Sequence, residues 1–63
     1  MKTTMFIEGF AESTNLTINE AKTEWAAWSR QLPDTEREQI ENKGHVSGMN
    51  EGNRYNEWLK SNS

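Results

Sequence analysis

The sequence predicts an all-α domain of two to three short helices, paired as a homodimer. Three observations lead there. Ile18, Ala21, Trp25, Trp28 and Leu32 recur at spacings of 3, 4, 3 and 4, one apolar stripe on a helix. Helix punctuation brackets that stripe: Thr17-Ile18-Asn19-Glu20 reads as a capping box, and Pro33 is a stop. The chain has only 63 residues, with no Cys and one His. Small domains reinforce a thin core with disulfides, metals or oligomerisation, and only the last of these is open here. Three Trp in so short a chain leave aromatic surface for an interface.

The elements follow in order within a single domain, residues 1–63. Residues 1–16 form an N-terminal arm, predicted to be extended or irregular. Thr3-Thr4-Met5-Phe6-Ile7 favours a strand, Phe6 and Phe10 suit one helix face, and Gly9 weakens both. Residues 17–32 are the first helix, with Leu16 and Ala21 as a weak hydrophobic staple and Ala26-Ala27 adding propensity. Pro33 ends it by pushing the preceding residue out of the α region. Residues 35–43 are a second helix, with Asp34 or Thr35 as N-cap and Gly44 at the left-handed cap position. Ile40 is its one strongly apolar residue, so it lies mostly exposed. Residues 48–60 are the third, strongest over 50–60, because Gly48 and Gly52 each cost about 1 kcal/mol relative to Ala. Those glycines share a face with Tyr55 and Leu59 and invite close approach of another backbone.

Several functions are disfavoured. No apolar run exceeds the four residues Trp25-Ala26-Ala27-Trp28, and Met5-Phe6-Ile7 is shorter still, far short of a membrane span or a secretory signal. Without Cys there is no thiol chemistry and no Cys-based zinc site. His45 with Glu41 or Glu51 makes an incomplete ligand set. A Ser47, His45, Asp34 triad can be drawn, but nothing in the sequence supplies oxyanion donors or a cavity. Neither catalytic residues, nor a cofactor, nor a metal is therefore expected. Asn15-Leu16-Thr17 matches a glycosylation pattern, with Thr17 already assigned to the cap.

Two binding readings compete. The leading one is an interaction protein whose dimer or partner surface draws on Trp25, Trp28, Tyr55, Trp58 and Leu59, since Trp and Tyr are enriched at binding hot spots; Trp25 and Trp28 read as largely core, one wall that meets Trp58 and Tyr55 within the chain or across a dimer. An exposed acidic helix with Glu36, Glu38 and Glu41 would be a second contact region. The alternative is a nucleic-acid-associated regulator of helix-turn-helix type, built across Pro33. Charge weighs against it. The net charge is −3, and residues 34–42 carry Asp34, Glu36, Glu38 and Glu41 against Arg37, whereas nucleic-acid affinity rests on Lys and Arg.

The runs MFIEGFAEST, EWAAWSRQLPD and GNRYNEWLKSNS, together with the length, resemble the small early proteins of lambdoid phages encoded in the exo–xis region of phage lambda. The resemblance covers the full chain and contains no motif of known mechanism, so it assigns no functional residue. It implies a helical, self-associating, non-enzymatic accessory protein in the cytoplasm of an infected bacterium. Such a protein would modulate host physiology and favour lytic development by binding a host bacterial protein.

Overall fold

A computed structural model describes residues 2–62. It is all-α, with four helices: α1 (Lys2–Thr14), α2 (Ile18–Trp28), α3 (Asp34–Asn42) and α4 (His45–Ser61). A single 3₁₀ turn, Ser29–Gln31, follows α2, and there is no strand among the described residues. Among the described residues no helix is long and apolar enough to cross a membrane.

The first correction is the N-terminal arm, which is helical rather than extended or irregular. Phe6, Ile7, Phe10 and Ala11 fall on one face of α1, and all four are buried, Phe6 and Phe10 completely. Burying that face outweighs the β preference of the Thr-rich start, because intrinsic strand propensity spans only about 1 kcal/mol. Gly9 is a packing position rather than a break: a Cβ there would collide with the His45 carbonyl of α4. The helix ends where Asn15 adopts φ 62°, and the Leu16 N–H returns to the Ala11 carbonyl at 3.1 Å. That six-to-one bond is the Schellman closure.

Helix α2 begins with the capping box in full. Thr17 Oγ1 accepts from the Glu20 N–H at 3.1 Å, and Glu20 Oε1 accepts from the Thr17 N–H at 3.0 Å. Ala21, Trp25 and Trp28 of the apolar stripe are buried, while Ile18 stands exposed. The α-helix stops at Trp28, not Leu32. The chain tightens into the 3₁₀ turn, and Leu32 is extended at φ −100°, ψ 145°, as a residue preceding proline must be.

Pro33, rather than Asp34 or Thr35, is the N-cap of α3, which places Asp34 and Glu36 in its positive first turn. No residue of α3 is fully buried. Gly44 has φ 82° and ψ −150°, outside the left-handed helical region and open essentially only to glycine. It leads directly into α4, which starts at His45, earlier than residue 48. The cost of two glycines inside α4 is offset by the contact they permit. A Cβ on Gly48 would collide with the Phe6 carbonyl and lie 2.9 Å from the Phe10 nitrogen; one on Gly52 would strike the Ser13 hydroxyl. The approaching backbone is thus α1 of the same chain. Gly48 meets Phe6 and Phe10, Gly52 meets Phe10 and Ser13, and Asn56 Nδ2 donates to the Ser13 carbonyl at 3.0 Å. The two helices therefore run in the same direction, and their contact is the most extensive in the fold.

Candidate functional site

All six aromatic side chains of the chain belong to one connected cluster. Phe6 and Phe10 of α1 flank Trp25 at centroid distances of 4.6 and 5.7 Å. Trp25 leans on Trp28 at 5.8 Å, the spacing of three along α2 placing both on one wall. Trp28 meets Tyr55 edge-on at 6.3 Å and 89°, and Tyr55 meets Trp58 at 6.1 Å. The series runs from a dry interior to the surface. Trp25, Trp28 and Tyr55 are buried, whereas Trp58 and Leu59 are 44 % and 42 % exposed.

The candidate interface residues thus divide. Trp25, Trp28 and Tyr55 are brought together within one chain as core, with Trp28 and Tyr55 reaching the surface only as walls of a groove. Trp58 and Leu59, near the end of α4, are adjacent exposed apolar residues, as Met5, Ile18 and Val46 are elsewhere on the surface. Beside Trp58 lies a groove of about 300 Å³, walled by Ala27, Trp28, Tyr55 and Trp58, with Glu24 and Arg30 at its polar edge. Tyr55 Oη donates to Glu24 Oε1 at 2.6 Å. Burial, then that bond and the Glu24 charge, push the Tyr55 phenol up to about 12, so it stays a neutral donor.

The acidic helix divides likewise. Glu36 and Glu38 are exposed, as expected of them. Glu41 is not: it is half-buried, and its Oε2 accepts from Trp25 Nε1 at 2.7 Å. The last turn of α3 thus supplies an acceptor for the buried Trp25 indole N–H, whereas the buried Trp28 Nε1 has no partner. Asp34 is paired with Arg37 at 3.3 Å.

Residues considered for catalysis have other partners. The Ser47 hydroxyl donates to the Ile40 carbonyl at 2.8 Å, and His45 Nε2 lies 2.9 Å from Glu12 Oε2. Among the described residues no three His, Asp or Glu side chains gather as metal ligands.

Two residues of consequence escaped the sequence reading. Glu24 lies off the apolar stripe, and only the fold brings Tyr55 to it across 31 positions. Glu51 left a signal. It sits at the centre of the face formed by Gly48, Gly52 and Tyr55, and a charge amid close-packing residues is itself a mark of burial. It is 7 % exposed, its Oε1 has no partner, and its Oε2 lies 3.6 Å from Arg54.

Comparison with known proteins yields no matching family model, no similar curated protein and no similar solved structure.

Proposed function

We propose that this is a non-enzymatic interaction protein that docks a host bacterial protein through Trp58, Leu59 and the adjoining groove. The observation that carries the reading is the exposure of Trp58 and Leu59 beside an aromatic-walled depression. Every other aromatic side chain is buried. An exposed Trp at the edge of a rigid aromatic wall is a low-entropy anchor of the kind that dominates interface energetics. When no host partner is bound, two copies of the chain cover the same face as a homodimer. The resemblance to early proteins of lambdoid phages supports placing this activity in the cytoplasm of an infected bacterium. There the docking would disturb host physiology and favour lytic development.

The test is affinity capture from infected cells with the wild-type chain and with Trp58→Ala in parallel. Trp58 is half exposed, so its removal should cost stability about 1 kcal/mol or less while abolishing retention of the host protein. Equal retention by both chains, with matching melting curves, refutes the reading.

A further inference from the structure

We infer that Glu51 is a proton-operated latch on α3: with its carboxyl neutral, α3 rests on α4, and with it ionised, α3 swings away on its connectors at Pro33 and Gly44. This goes beyond the docking reading and does not depend on it.

Three features of the fold carry the inference. First, α3 is the least anchored helix. None of its residues is fully buried, and it is held by packing on α1 and α4, the partly buried Ile40, the Trp25–Glu41 bond and the Ser47–Ile40 bond. Second, α3 does not close onto α4. A cleft of about 290 Å³ separates them, bordered by Ile40 and Lys43 on one side and by Val46, Ser47, Asn50 and Glu51 on the other. Third, Glu51 lines that cleft with its side chain nine-tenths buried and Oε1 unpartnered. A buried carboxylate without a full set of donors is costly, whereas the neutral acid is tolerated.

The charges around Glu51 set the direction. Arg54, on its own helix, stands at 3.6 Å and favours ionisation, but its side chain is largely in solvent. Glu36 approaches from α3 and opposes ionisation. Lys43 lies at the cleft border on the turn after α3. Burial raises the Glu51 carboxyl above its ordinary value of 4.5, Arg54 draws it back, and Glu36 adds to the rise. The docked form therefore binds the proton more tightly than a form in which the carboxyl is hydrated. Docking is favoured at low pH and weakens as pH rises through the raised value. Undocking relieves two things together, the dry carboxylate and its repulsion by Glu36.

Hydrogen exchange followed by NMR on the full chain, across pH, tests the latch. The Trp25 indole N–H serves as a second reporter, since its bond to Glu41 breaks when α3 leaves. In the wild type, protection factors in α3 should fall about tenfold for each pH unit by which the Glu51 carboxyl is raised, with α1, α2 and α4 unmoved. Glu51→Gln should keep α3 protected across the same range. Glu36→Gln, an exposed change that leaves the core untouched, should shrink the fall. If α3 loses protection on the same profile in Glu51→Gln, or if all four helices open together in the wild type, the latch is overturned.

Discussion

At the scale of single residues, Trp25 shows how a few polar contacts steer an aromatic core. Its ring touches Phe6, Phe10 and Trp28, and its one polar atom reaches Glu41. The two contributions are separable. Trp25→Phe keeps most of the ring packing and removes the N–H, leaving a half-buried carboxylate short of a donor. It should cost about 1.5–3 kcal/mol, the range for a hydrogen bond to a charged group. Trp25→Ala also empties the core and should cost about 3–5 kcal/mol. Urea denaturation of the three proteins checks the order, and equal losses in both variants would show that the indole bond contributes nothing. That Trp25 and Trp28 would be buried was legible from their spacing on an amphipathic stripe. That Glu41 would turn inward was not. Its position among Asp34, Glu36 and Glu38 reads as a solvated acidic face, and only the tertiary placement of an indole N–H singles it out.

At the scale of elements, the α1–α4 contact decides the fold. Gly9 on α1 faces His45 and Met49, while Gly48 and Gly52 on α4 face Phe6, Phe10 and Ser13, so each helix offers the other a surface without Cβ atoms. In an isolated helix Gly48→Ala would be stabilising by about 1 kcal/mol. In this protein the added methyl meets backbone that cannot yield, and the change should instead destabilise by about 1–3 kcal/mol. Gly52→Ala should be milder, because its nearest obstacle is the rotatable Ser13 hydroxyl, and Ser13→Ala should recover much of the loss. Thermal melts of the single and double variants read this directly. The same contact explains what could be read from sequence. Helix α2, with its own cap, stripe and proline stop, is locally specified. Helix α1 is not: its Thr-rich start and central glycine point away from helix until α4 is in place to receive Phe6 and Phe10. The glycines of α4 read locally as weakness, although their common face correctly pointed to a close approach.

At the scale of the whole molecule, the aromatic cluster uses nearly all of its surface internally and leaves Trp58 with Leu59 outside. Light scattering across a range of concentrations should give a mass near twice 7.3 kDa at high concentration, and Trp58→Ala should remain at the mass of one chain throughout. A wild-type chain that stays single at every concentration would remove the homodimer from the proposal. The candidate site was half legible. Composition pointed to a surplus of aromatic side chains, but which of them stay outside depends on where α4 lies against α2, and no local pattern encodes that. The parallel seating of α1 on α4 has one further consequence, for synthesis. Helix α1 finds its main partner in α4, with α2 and α3 between them in the sequence, so much of the apolar face of Phe6, Ile7 and Phe10 stays uncovered until α4 has been made. Such sequence-distant closure slows folding relative to a bundle of neighbouring hairpins. A nascent chain stalled before α4 has only α2 to shelter that segment, through Trp25 against Phe6 and Phe10.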